Sequence, residues 1–367
     1  MEGLLDPLTG SLRSRNKEPT PSCRSFALSK PTIVEVARLA GVSNSTVSRC
    51  INTPEKVERK TLARVRKVIE ETGFRPNLLA QSFRRGRTDI VLVVIHNVGS
   101  SIFSDIIDGI RSVLGDRYSV ILMESRSEKQ GHSRFIDLLV ARQVVGVILL
   151  CSSPPFSRRL VELDNFPRLP VVVGLEPISE DLASLPTVHI DNYQAAHDAT
   201  RYLLDSGHND IVFVSGERGS LITQDRERGF VDAMTQAGIT GVPDRLVHSE
   251  LSIQGGVGAA HRLLADKTRP TALFCANDDI ALGIMSVAPR FGLRVPDDLS
   301  VMGFDDSPYA ATANPPLSTV AQPAREIGER TARRLLRAMD TPDEPGEWTE
   351  ILPHRLVIRQ STAPRLG

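Results

Sequence analysis

The chain has 367 residues, 44 basic and 44 acidic side chains, and four cysteines. No apolar stretch approaches the ~18 residues of a membrane span, and none follows Met1 at signal-peptide length, so neither insertion nor export is expected and a cytoplasmic location is the default. Cys23, Cys50, Cys151 and Cys275 form no C-x-x-C pair and have no neighbouring histidine cluster, which excludes a zinc knuckle or a disulfide framework and predicts reduced thiols with no metal.

In chain order, residues 1–30 are mixed and polar, with Pro7, Pro19 and Pro21 and no sustained periodicity, and read as a disordered N-terminal extension. The stretch TIVEVARLAGVSNSTVSRCIN, Thr32 to Asn52, then organises the front of the molecule. Thr32 and Glu35 form a capping box at a helix start. Ile33, Val36, Ala37 and Ala40 recur at helical spacing, Gly41 ends the helix, and Ser43 is a second N-cap two residues later. Val42, Val47 and Ile51 point back to the first helix, leaving Asn44, Ser45, Ser48 and Arg49 on a polar outer face of a kind that suits base edges and phosphates. A solvated αα-hairpin would show the same pattern.

Pro54 breaks the chain before a third helix, Val57 to Thr72, with Leu62, Val65, Val68 and Ile69 on its apolar side and Gly73 as its stop. Between Arg24 and Arg87 fourteen basic residues face five acidic ones. Because the total is neutral and the first 23 residues balance, a basic head precedes an acidic body. Such a head attracts a phosphate backbone. Residues 76–87 form a segment too short to hold a helix alone, read as a hinge or linker.

Beyond Asp89 the sequence alternates short apolar runs with helical stretches. The runs are Ile90 to Ile95, Val120 to Met123, Val144 to Cys151, Val171 to Gly174, Val188 to Ile190, Ile211 to Val214, Ala272 to Cys275 and Leu299 to Phe304. They lack polar alternation, as strands of a parallel sheet buried on both faces do. Helices are expected at Phe103 to Gly115, Arg134 to Arg142, Asn192 to Ser206, Arg226 to Ala237, Gly255 to Ala265, Asp279 to Arg290 and Ala324 to Met339. This βα order exceeds one usual core and predicts two doubly wound halves, whose ligand should sit beyond the carboxyl ends of the strands. Polar residues follow those ends: His96 and Asn97, Asp191, the loop Gly216 to Gln224 with Arg226, Asn277 and Asp278, and Asp305 and Asp306. Arg226 and Asp278 are expected at the mouth of the second half, bracketing sugar hydroxyls. Taken singly, each is also an ordinary loop charge or cap, as Asp278 before Ile280 would be.

The ordered combination AGVSNSTVSR, Asn52, Val57, Gly73-Phe74 and RPNLLAQ before GRT resembles the headpiece of the lactose/galactose repressor (LacI/GalR) family. LPTVHIDN, FIDLLVARQVVGVILL, FCANDDIALG, GLRVPDDLSVMGFDD and PPLSTVAQP are similar to its effector domain, nearest the cytidine and purine repressor branch. The resemblance covers Thr32 to Arg359. It implies an all-α helix-turn-helix headpiece followed by an α/β, two-lobed periplasmic-binding-protein-like (type I) effector domain. Its boundaries are 31–75 for the DNA-binding domain, 76–87 for the hinge helix and 88–367 for effector binding and dimerisation. The lobes are expected at about 88–187 plus 319–340 and about 191–317 plus 350–360, the last receiving a strand Leu352 to Ile358. The DNA-binding residues it implies are Thr32, Ser43, Asn44, Ser45, Thr46, Arg49, Asn52, Asn77, Ala80 and Phe83, with Phe83, where leucine is usual, as a minor-groove wedge. Those implied for the effector are Phe103 stacking on a base, Arg226 and Asp278 fixing polar atoms, Asp191, and Leu251 on the wall, where an aromatic is usual.

The sequence therefore predicts a non-enzymatic regulator, a repressor that binds a palindromic operator in double-stranded DNA as a homodimer. A small effector, a nucleoside or sugar, controls it, with no cofactor and no membrane partner. A solute-binding protein or a sensor without DNA is the alternative, disfavoured by the basic head. An α/β enzyme would need a phosphate-cradling glycine loop, a nucleophile elbow or a metal-spaced histidine cluster, and none is present in the sequence.

Overall fold

The computed structural model describes residues 31–74, 89–125, 143–151, 169–176, 185–265, 268–341 and 349–365. The chain divides into two units, Met1–Gln81 and Ser82–Gly367. The expected hinge at 76–87, the helix expected at Arg134 to Arg142, Cys23, and the candidate residues Asn77, Ala80 and Phe83 lie outside the described residues.

Among the described residues, the first unit contains three α-helices: α1 (Ile33–Ala40), α2 (Asn44–Asn52) and α3 (Arg59–Thr72). Local chemistry sets their ends. Thr32 accepts a hydrogen bond from the Glu35 N–H at 3.3 Å, Gly41 takes the left-handed conformation at φ 62°, and Ser43 accepts from the Thr46 N–H at 3.2 Å. A cap of this type is worth about 1 kcal/mol. Val36, Ala37, Ala40, Val47, Cys50, Val65 and Phe74 make the core, flanked by Val42, Ile51, Leu62, Val68 and Ile69. Helix α3 starts later than the predicted Val57, because Pro54–Lys56 forms a 3-10 turn and Val57 leaves it in an extended conformation.

The described residues of the second unit form two six-stranded sheets. The first has the order β11-β5-β4-β3-β1-β2, from β1 (Ile90–Ile95), β2 (Ser119–Glu124), β3 (Gly146–Leu149), β4 (Val171–Leu175), β5 (Thr187–Ile190) and β11 (Thr349–Leu352), all parallel. The second has the order β12-β10-β9-β8-β6-β7, from β6 (Ile211–Ser215), β7 (Leu246–His248), β8 (Ala272–Cys275), β9 (Ser300–Asp305), β10 (Ser318–Ala321) and β12 (Arg355–Val357), with only β12 antiparallel. Central strands such as β1, β4, β6 and β8 are buried throughout, as continuous apolar runs require. Edge strand β2 departs from that expectation. Ile121 and Leu122 are exposed.

Helices α4 (Ile102–Leu114) and α9 (Ala324–Asp340) cover one face of the first sheet; α5 (Asn192–Asp205), α6 (Leu221–Gln236), α7 (Ile253–Leu263) and α8 (Asp278–Val287) flank the second. Helices α4 and α9 touch backbone to backbone. A Cβ at Gly328 would fall on the Ile106 carbonyl oxygen, and one at Gly109 on that of Arg325, so only glycine permits this spacing. In the second half, Phe213 stacks on Phe230 and Phe274 at 5.5 and 4.8 Å between ring centroids.

The chain passes between the sheets three times: β5 to α5, β10 to α9, and β11 to β12. This corrects two boundaries. Ser318–Ala321 lies in the second sheet, so the return to the first half begins with α9 and not at Thr319. The single expected strand Leu352 to Ile358 is two short strands, one in each sheet. Both were concealed by composition. In β10 the buried hydroxyls of Ser318 and Thr319 bond to Thr362 and Asp278, so the strand carries no apolar run. Helix α6 likewise starts at Leu221, capped by Ser220, rather than at Arg226.

Candidate nucleic-acid interface and effector site

Helix α2 presents the candidate interface of the first unit. Val47 and Cys50 are buried, which turns Asn44, Ser45 and Arg49 outward, where all three are exposed. Ser43 is committed before any ligand arrives. Its hydroxyl caps α2 and lies 2.8 Å from the Ser45 hydroxyl and 2.9 Å from that of Thr46. Thr32 is exposed and caps α1. Asn52 ends α2, and its side chain lies outside the described residues.

In the second unit the polar residues gather where the strands end. Arg226, on α6, is 4% exposed. Its Nε donates to Asn192 Oδ1 at 3.0 Å, one Nη donates to the Ala276 carbonyl, and its guanidinium carbon lies 3.5 Å from the centroid of the Phe304 ring. Burial lowers its pKa to about 10 against the pull of Asp305, Glu176, Asp225 and Asp278. Asp305 closes β9 immediately after Phe304. Burial pushes its carboxyl to about 8, although Arg226 acts to lower it, and its Oδ1 accepts from Gln322 Nε2 at 2.7 Å. A carboxyl held above its ordinary range by burial and a buried guanidinium thus lie at one strand end.

The backbone is strained there too. Among the described residues, positive φ without glycine occurs at Leu175 (71°), Asp305 (115°) and Asp306 (56°), all at carboxyl ends of strands. Such conformations persist where surrounding bonds over-determine them. Here the Asp306 N–H donates to Thr319 Oγ1 and the Ser307 N–H to Asp278 Oδ2, at 3.4 and 2.6 Å.

A cleft of 610 Å³ opens beside Asp305, between the starts of α4 and α9 and the loop after β9; its walls include Asp105, Asp305, Ser307, Gln322, Glu326 and Arg330. The two halves also touch across their strand ends: Ser101 donates to Asp279 at 3.3 Å, and His96 Nε2 lies 3.9 Å from Glu217.

Not every predicted residue faces this cleft. Asp278 is fully buried, with one oxygen taken by the Thr319 hydroxyl at 2.7 Å and the other by the Ser307 N–H at 2.6 Å; burial raises its pKa to about 7. It fixes the loop that carries Asp305, a residue of the cleft wall. Asp191 is exposed and caps α5 through the Gln194 N–H at 2.9 Å. Phe103 is 6% exposed and packed in the core. Leu251 is half-buried beside Gly216. Ser307 and Gln322 were not anticipated: Ser307 falls just after GLRVPDDLSVMGFDD, and Gln322 sits within PPLSTVAQP without having been singled out there.

Thiol chemistry is disfavoured. Burial and Glu176 push the Cys151 thiol up to about 12, and burial also raises Cys50 and Cys275, so none of these is a ready thiolate. Among the described residues no three potential ligands form a metal site, and no helix is long and apolar enough to cross a membrane.

Residues 32–77 match the bacterial regulatory proteins of the lacI family, and residues 200–362 match a periplasmic binding protein-like domain. The repressor CytR of Escherichia coli K12 is 36% identical over 332 residues, covering 90% of this chain and 96% of that protein. The chain belongs to the lacI family. Like its relatives, this regulator is a DNA-binding transcriptional regulator under small-ligand control. The purine repressor PurR of Vibrio vulnificus is 33% identical, over 90% of this chain and 98% of its own length. Among solved structures, the lac repressor dimer bound to operator and an anti-inducer superposes with a TM-score of 0.73 at 27% identity, covering 91% of this chain and 99% of that one. A complex of the regulator CelR with cellobiose gives 0.68 at 30% identity, covering 90% and 99%.

Proposed function

We propose that this regulator reads a palindromic operator as a homodimer and that an effector at the strand ends around Arg226, Asp305 and the adjoining cleft sets its occupancy. Asn44, Ser45 and Arg49 are the base-reading candidates; Thr32, Ser43 and Thr46 hold phosphate. Asn52, with Asn77, Ala80 and the Phe83 wedge, completes the DNA set implied by the resemblance. Phe103, Asp191, Leu251 and Asp278 belong to the effector region as supporting residues. The effector is a nucleoside or sugar, bound without turnover, and the protein works in the cytoplasm.

The observation that carries this reading is the outward polar face of α2 on a helix whose other face is fully committed to the headpiece core. Ligand control follows from linkage: a small molecule that favours one arrangement of the two lobes shifts operator occupancy by its differential affinity and no more. The test is a salt-controlled titration of the full chain and its Arg49→Ala variant against operator and random duplex. The variant should lose about 1–3 kcal/mol of discrimination while random-duplex binding changes little. Equal losses on both duplexes would remove Arg49 from base reading.

A further inference from the structure

We infer that Asp279 and Ser101 together set how readily the two lobes close: the carboxylate, buried where the lobes meet, opposes closure, and the bond from the serine limits that opposition. The inference goes beyond the effector reading above and rests on it only for the consequence at the operator. The balance itself is a property of the second unit.

Each residue is delivered by a fixed element of a different lobe. Ser101 ends a loop held within the first lobe, where the Gly99 N–H donates to Asn97 Oδ1 at 2.8 Å, the Val98 N–H to Glu124 Oε1 at 3.3 Å and the Ser100 N–H to the Asn97 carbonyl at 3.2 Å. Asp279 lies in the first turn of α8 in the second lobe. Asn277 caps that helix through the Ile280 N–H at 2.9 Å, and Ile280, Ala281 and Ile284 anchor it in the core. The 3.3 Å bond from Ser101 Oγ to Asp279 Oδ1 therefore follows the position of one lobe against the other, and a hinge motion that parts the strand ends breaks it. Ser101 forgoes its usual task to make this bond. It precedes α4 in helical conformation, at φ −65° and ψ −28°, and its hydroxyl caps no N–H of that helix, although serine at such a position commonly does.

The carboxylate is only partly compensated. Asp279 is 5% exposed and meets no cation among the described residues. Burying a charge is costly unless it is paired and fully hydrogen-bonded. The hydroxyl and N–H of Ser101 act to lower the Asp279 pKa, but burial, the larger influence, raises it. Parting the lobes returns the carboxylate to water, so Asp279 favours the open arrangement and Ser101 the closed one. The other contact between the lobes, His96 with Glu217 at 3.9 Å, leaves 28% and 42% of those side chains exposed, and a pair so screened contributes little.

The experiment is hydrogen exchange of the full chain, without ligand, read by mass spectrometry at residues 98–104 and 278–282. Asp279→Asn removes the charge and keeps an oxygen to accept from Ser101, so exchange in both segments should slow by about threefold or more. Ser101→Ala leaves the carboxylate buried with one bond fewer, and exchange there should quicken by about as much. Ser101→Thr, which keeps the hydroxyl, should match the wild type, and α5 and α6 should exchange alike in all four proteins. Because closure burdened by a charge is the cause, Ser101→Ala should have a smaller effect in the Asp279→Asn background than alone. Unchanged or faster exchange in Asp279→Asn would overturn the inference. So would a Ser101→Thr protein that behaves as Ser101→Ala, since the hydroxyl would then not be the agent. On a duplex selected from a random library, Asp279→Asn and Ser101→Ala should move affinity in opposite directions. If exchange responds as expected and affinity does not, the lobe balance stands and the effector reading falls.

Discussion

The headpiece displays its functional groups, whereas the two-lobed unit withholds them. On α2, Asn44, Ser45 and Arg49 are exposed on a scaffold held by two side-chain caps and a small apolar core. At the strand ends of the second unit, Arg226, Asp278 and Asp305 are buried and bonded to their neighbours. The contrast follows from the ligands. A polyanion with a solvated surface is met by mobile, hydrated side chains whose attraction comes largely from released counterions. A small molecule offers few atoms, so each contact must be strengthened by removing water and fixing the partner in advance.

This contrast can be broken by unpairing the buried groups. Arg226→Met leaves Asn192 Oδ1 and the Ala276 carbonyl buried without a donor. The expected loss is about 1–3 kcal/mol for each acceptor left unsatisfied, read as a lower melting temperature of the second unit and loss of ligand response. Headpiece melting followed separately should not move; if it falls in parallel, the two regions are energetically one and the contrast fails.

Titration sharpens it. Asp305 and Asp278 have folded-state pKa values of about 8 and about 7, raised from an ordinary 3.8 by burial. From about pH 4 upward the native state keeps protons that the unfolded chain has released. Their contribution is fully present below the unfolded pKa and is lost as pH rises through the folded values. The second unit should melt lower at pH 8.5 than at pH 5.5, and Asp305→Asn should flatten that slope. An unaltered slope in the variant would mean that Asp305 is not the group concerned.

The smallest effect belongs to the headpiece. Ser43→Ala removes a cap and should cost the headpiece about 1 kcal/mol, with ligand binding by the second unit unchanged in calorimetry. A loss much larger than this would show that the hydroxyl contacts among Ser43, Ser45 and Thr46 act as a network rather than as a single cap.

The amino-acid sequence by itself determined everything that depends on near neighbours. Caps at Thr32 and Ser43, the turn at Gly41, the inward set Val36, Ala37, Ala40 and Val47, and the outward Asn44, Ser45 and Arg49 all follow from residues a few positions apart, where helical geometry leaves little freedom. The buried central strands were legible for a similar reason, since a strand covered on both faces must be apolar throughout. Only the tertiary structure decided which carboxylate faces the cleft. Asp278 follows a strand and Asp305 ends one, but Thr319 and Ser307 arrive from distant segments to take up the oxygens of Asp278, and Asp305 is left at the wall with Gln322. The same distance effect hid β10, whose buried hydroxyls resemble a loop until Thr362 and Asp278 are placed beside them. Burial and hydrogen-bond satisfaction are properties of a whole neighbourhood, and a neighbourhood drawn from positions more than forty residues apart does not exist until the chain has folded.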